Sequence, residues 1–100
     1  MTYTPKYTTA EYLAWIDKEV TETDILISTN WSMFLSTGDK KFAKETRKWQ
    51  RYRASLLANR DVLERHKPIP YNDGSTFCRA CNGVPCPTYL DIASKLDEVM

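Results

Sequence analysis

The chain has 100 residues, of which 42% are hydrophobic and 27% charged, with a formal net charge of +1. That is the size and make-up of one folded domain and excludes a disordered chain. No apolar run approaches the ~20 residues of a membrane span, and Met1 to Lys6 lack the apolar core of a secretory signal, so a cytoplasmic, membrane-free protein is expected.

Residues 1–8 contain Pro5 and no periodic pattern, and read as an N-terminal arm, mobile or docked. Thr8 followed by Glu11 is a capping-box pair that starts a helix. Leu13, Ile16, Val20, Ile27, Trp31 and Phe34 then recur at helical spacing. Thr21-Glu22-Thr23-Asp24 interrupts the stripe with poor helix formers that cap well, so residues 9–36 read as one interrupted helix or two in succession.

Gly38 suits a left-handed helix stop and Asp39 the cap of the next helix. Residues 40–66 hold no Gly or Pro, and Phe42, Trp49, Leu56 and Leu63 repeat at intervals of seven, with Tyr52 on the same side. A second long helix follows. The short link makes the two antiparallel, so residues 9–66 are a helical hairpin. Pro68 and Pro70 end it, and Asp73-Gly74 within residues 71–75 reads as a hairpin turn. Thr88 with Asp91 reads as an N-cap for a last helix whose apolar face is Tyr89, Ile92, Ala93 and Leu96. The expected fold is mostly α over a single domain, 1–100. It comprises the hairpin and, over residues 66–100, a small zinc-knuckle turn with a short C-terminal helix.

All three cysteines fall between Cys78 and Cys86, and the one histidine, His66, lies just upstream. An odd, clustered set fits a metal site better than a secreted disulfide framework. Cys78 and Cys81 have the spacing at which two thiolates reach one tetrahedral ion. Asn82-Gly83 permits the turn behind them, and Cys86 falls near a helix start, whose dipole favours negative charge. A hairpin over residues 66–78 returns Cys78 towards His66. Four protein ligands, His66, Cys78, Cys81 and Cys86, make a closed structural Zn2+ site with no open position for water. Buried reduced thiols, a redox pair and an iron–sulfur cluster are the competing readings. The redox pair lacks its alternating strand and helix context, and the cluster lacks a fourth thiolate.

Arg65-His66-Lys67-Pro68, Cys78-Arg79-Ala80-Cys81 and Pro85-Cys86-Pro87-Thr88, followed by Leu90 and Ile92-Ala93, resemble a tail found in small actinobacterial and actinobacteriophage proteins of undefined activity. Those tails read Arg-His-x-Pro, Cys-x-x-Cys and Pro-Cys-Pro-Thr before a short helix. The resemblance covers roughly residues 62–96 and implies metal binding and a phage or actinobacterial origin. Val84 stands where many of those tails carry an aromatic residue.

Charge is unevenly spread. Residues 1–39 carry two basic and six acidic side chains, a net of −4, whereas residues 40–67 carry ten and three, a net of +7. Lys40, Lys41, Lys44, Arg47, Lys48 and Arg51 are candidate phosphate contacts, with Trp49 or Tyr52 as stacking partners. The competing reading is a basic face paired with the acidic helix, with Trp49 in the core. No phosphate loop, Ser–His–Asp set or HExxH helix is visible, so no enzyme activity and no small-molecule substrate are expected. The sequence therefore points to an interaction or regulatory protein that binds a host or phage protein, or a second copy, through its helices. Nucleic-acid binding is the alternative.

Overall fold

The computed structural model describes residues 3–70, 76–78 and 86–100, with the backbone alone at 70 and 76–78. The described residues form helix α1 (Thr9–Thr37), helix α2 (Lys40–Arg65), strands β1 (Pro68–Pro70) and β2 (Thr76–Cys78), and helix α3 (Pro87–Val99). They are mostly helical. Contacts divide the chain into two compact units, one of Met1–Trp15 with Asn59–Met100 and the other of Ile16–Ala58.

Helix α1 begins where its capping box sits. The Thr8 N–H donates to Glu11 Oε1 at 3.1 Å and the Glu11 N–H donates to Thr8 Oγ1 at 3.2 Å. The helix then runs through Thr21–Asp24 without a break, contrary to the interruption expected there. Two hydroxyls explain this. Thr21 donates to the Asp17 carbonyl (3.0 Å) and Thr23 to the Glu19 carbonyl (2.6 Å), so both are satisfied within the helix instead of competing with it.

The Ile16–Ala58 unit is an antiparallel pair of helices. Gly38, at φ +70°, ends α1, with its N–H donating to the Phe34 carbonyl at 2.8 Å. Asp39 caps α2 through Oδ1, which accepts from the Lys41 N–H at 3.0 Å. Replacing Asp39 by Ala should cost about 1 kcal/mol of stability, the usual worth of such a cap, read as a lower midpoint in urea. Across the pair, Arg53 Nε lies 2.7 Å from Asp24 Oδ1, and the Tyr52 hydroxyl donates to Glu19 Oε2 at 3.2 Å. The buried side chains are Ile16, Leu56, Thr23 and Thr46. Thr46 donates to the Phe42 carbonyl at 2.9 Å, so neither buried threonine is unsatisfied. Trp31, expected in the stripe, is 47% exposed, whereas Trp49 is half-buried as expected and meets Tyr52 edge-on at 5.8 Å.

In the other unit, Tyr12, Leu63, Cys86, Tyr89, Ile92, Ala93 and Leu96 are buried. The arm is docked, and Asp97 is its anchor. Tyr3 donates its hydroxyl to Oδ2, the Lys6 N–H donates to the same oxygen at 3.2 Å, and the Tyr12 hydroxyl donates to Oδ1 at 2.7 Å. Thr9 Oγ1 lies 2.6 Å from the Tyr89 hydroxyl, and Tyr12 packs edge-on against Tyr7 and Tyr89. Burial pushes the Asp97 carboxyl up, but the Tyr3 and Tyr12 hydroxyls, the Lys6 N–H and the Lys6 charge outweigh it and hold the group below its ordinary 3.8. Hydrogen bonding to Asp97, then desolvation and the charges of Asp97 and Glu98, push the Tyr3 hydroxyl up to about 12.

A pH dependence follows from both shifts. The Asp97 contribution is present above pH ~3.8 and is lost as pH falls through the lower folded value. The Tyr3 contribution is present below pH ~10 and is lost as pH rises through about 12. Amide protection at Lys6 and Tyr7, taken relative to the intrinsic exchange rate, should therefore fall at both extremes, and Asp97→Asn should weaken both limbs, since Asp97 is also the largest cause of the Tyr3 shift.

Candidate metal centre and basic stripe

His66 follows directly on α2, and its N–H still donates to the Val62 carbonyl at 2.9 Å, so the helix holds its backbone. Pro68 starts β1 two residues later. The ladder pairs Pro68 with Cys78, Ile69 with Phe77 and Pro70 with Thr76 in antiparallel register. Cys78 is thereby returned beside the strand that leaves His66, as a hairpin over these residues requires. The turn residues 71–75, and with them Asp73-Gly74, lie outside the described residues.

Cys86 is the N-cap of α3, with extended backbone and its carbonyl accepting the Leu90 N–H at 3.1 Å. This corrects the expected cap at Thr88, which lies inside the first turn. Pro87 decides the matter, because its fixed φ and missing N–H suit the first helical position. Asp91 pairs instead with Lys95 at 3.1 Å, one turn on. Cys86 is 8% exposed, and its Sγ lies 3.3 Å from Nδ1 of the half-buried His66.

That distance bears on chemistry. A sulfur at ~2.3 Å and an imidazole nitrogen at ~2.05 Å from one tetrahedral zinc lie about 3.6 Å apart. The observed 3.3 Å is close to that separation and also suits a thiol–imidazole hydrogen bond. A thiol touching an imidazole can also be an activated nucleophile. Here the sulfur is buried and two more cysteines lie within eight residues, which favours ligation. Of the four candidate ligands, His66 and Cys86 are in contact, and the Cys78 backbone is paired with Pro68. Cys81, with Asn82, Gly83 and Pro85, lies outside the described residues. Among the described residues no three His, Cys, Asp or Glu side chains converge.

The six cations of the alternative reading, Lys40, Lys41, Lys44, Arg47, Lys48 and Arg51, are all exposed on α2. Lys40, Lys44, Arg47 and Arg51 recur every three or four residues and form one stripe. The acidic helix pairs elsewhere, with Arg53 and Tyr52. Lys41 lies 3.9 Å from Asp39, and Lys48 sits 5.0 Å over the Trp49 ring. Among the described residues, no ion pair joins Lys40, Lys44, Arg47, Lys48 or Arg51 to an acid of α1.

Sequence reasoning missed the Asp97 anchor. Tyr12 was within reach, since it lies one turn before Ile16 on the same face. No helix among the described residues is long and apolar enough to cross a membrane. Comparison with protein families, curated proteins and solved structures finds no match for this chain.

Proposed function

We propose that this chain is a small non-enzymatic interaction protein, of phage or actinobacterial origin and cytoplasmic, that binds another protein through its helical surface. A structural zinc ion held by His66, Cys78, Cys81 and Cys86 fixes its C-terminal third. The ion supplies cross-linking only, since four protein ligands leave it no open position.

The apolar side chains left outside on α1 carry the interaction reading. Ile25, Leu26, Trp31, Met33 and Leu35 are exposed on the helix, while threonines occupy part of the buried side. A helix apolar around most of its circumference is suited to being covered on more than one side. The 3.3 Å contact of Cys86 with His66 supports the metal reading. Elemental analysis should find one zinc per chain and its loss in Cys81→Ser. Affinity capture by the wild-type chain, repeated with Trp31→Ala and Leu26→Glu, tests the interaction. A partner held equally by all three excludes the α1 surface.

The unpaired stripe on α2 favours nucleic-acid binding as a second reading. Neutralising about four phosphates would give a salt slope of about −3.6 against duplex DNA. Titration of random duplex at two salt concentrations decides it. Binding without that slope rejects the stripe as its cause.

A further inference from the structure

Helix α3 is tied at both ends and near its start to segments that lie far from it in the chain. At its N-cap the Cys86 Sγ is 3.3 Å from His66 Nδ1. In the first turn the Tyr89 hydroxyl lies 2.6 Å from Thr9 Oγ1, and the Tyr89 ring meets Tyr12 edge-on. In the last turn Asp97 accepts from the Tyr3 hydroxyl, the Lys6 N–H and the Tyr12 hydroxyl. Tyr89, Ala93 and Asp97 follow Cys86 at steps of three and four residues, which sets all four on one face of the helix. Asp97 stands three turns after Cys86, roughly 16 Å along the axis. All of these residues belong to one compact unit.

The core between these ties is small. Among the described residues of this unit, the buried large aliphatic side chains are Leu63, Ile92 and Leu96. A core of that size needs added tethers to hold a helix in place. A helix of 13 residues is also marginal in water by itself. It forms cooperatively, so a tether at one end lowers the cost of completing the other.

We propose that the N-terminal arm regulates the metal site through α3: the arm docked on Asp97 strengthens zinc binding at the Cys86 end, and bound zinc strengthens docking of the arm. The inference rests on the zinc reading and adds its regulation. Binding free energies couple reciprocally, so each event raises the affinity of the other by the same factor. The zinc-free chain populates the ordered tail in part, the arm sets that fraction, and the fraction multiplies the intrinsic zinc affinity. Tyr3 and Lys6 lie exposed, so the arm is the accessible end of the device. Whatever draws it off Asp97 weakens zinc binding without touching the metal.

Titration of the purified full chain with Zn2+ against a chromogenic chelator tests the inference, with amide protection followed at Lys6 and Tyr7. The wild type should take up one zinc, and zinc should raise protection at both amides. Asp97→Asn should bind zinc about tenfold more weakly. Asp91→Asn makes the same charge change nearer to Cys86 but at an exposed position of α3, and should stay within about twofold of the wild type. Zinc affinity in Asp97→Asn equal to that of the wild type overturns the coupling and leaves the zinc reading standing. Unchanged protection at Lys6 and Tyr7 on zinc addition has the same consequence, as does an equal loss of affinity in Asp91→Asn, which would report charge rather than the arm. A wild type that binds no zinc overturns both readings. If Asp97→Asn fails to fold, Tyr3→Phe takes its place with an expected loss of about threefold, and an unchanged affinity there overturns the coupling.

Discussion

Stripping the proposed zinc with a chelator is expected to release α3 and the arm while leaving the Ile16–Ala58 helices largely intact. Structural zinc contributes on the order of 10 kcal/mol of apparent folding free energy in small metallo-domains. Cys86 meets the residue that follows α2 through its Sγ, 3.3 Å from His66 Nδ1. Hydrogen exchange should show protection lost first at Ile92, Ala93 and Leu96, then at Leu63, all buried in the same unit. Cys86→Ser should reproduce the chelator's effect. It also keeps a small polar N-cap for α3, so a loss of order in that variant reports the missing ligand rather than the missing cap. Retained protection in the chelated protein would show that burial alone orders the tail.

The second large effect is expected at Tyr12, which is fully buried. Truncation to Ala removes a ring packed edge-on against Tyr7 and Tyr89, at centroid distances of 5.8 and 6.5 Å. Large aromatic truncations in cores cost about 3–5 kcal/mol. Tyr12→Phe separates the two contributions. It keeps the ring and removes the hydroxyl that donates to Asp97 at 2.7 Å and accepts from the Tyr7 N–H at 3.4 Å. A hydrogen bond to a charged group is worth about 1.5–3 kcal/mol, and Asp97 keeps Tyr3 and Lys6, so the lower end is expected. Chemical denaturation of both variants checks the ratio. Equal losses would mean that the hydroxyl, not the ring, carries the site.

What could be read from the residues was local. The Thr8–Glu11 box, the Gly38 stop and the Asp39 cap each depend on a few neighbouring residues, and each is found in place. The threonines of Thr21–Asp24 were ambiguous, because the same hydroxyl can cap a helix or bond back into one. Thr88 reads as a cap because hydroxyls cap well, but the proline before it sets the first helical position and makes Cys86 the cap. Trp31 follows the apolar spacing yet remains half outside, since spacing says which residues share a face and not what covers it. The Asp97 anchor joins positions more than 80 residues apart, and no local pattern announces such a pairing. At the candidate metal centre, spacing named the proposed ligands, and the backbone register of Cys78 with Pro68 agrees with the expected return.

The two units differ in how they are threaded. Residues 16–58 form one uninterrupted stretch, whereas the other unit joins an early segment to a late one. Closing a loop of that length carries an entropic penalty that short-range contacts avoid. The paired helices can therefore assemble while the rest of the chain is still being synthesised. The early tyrosines must wait until Tyr89 and Asp97 have left the ribosome, so they find their partners after the helices that separate them have paired.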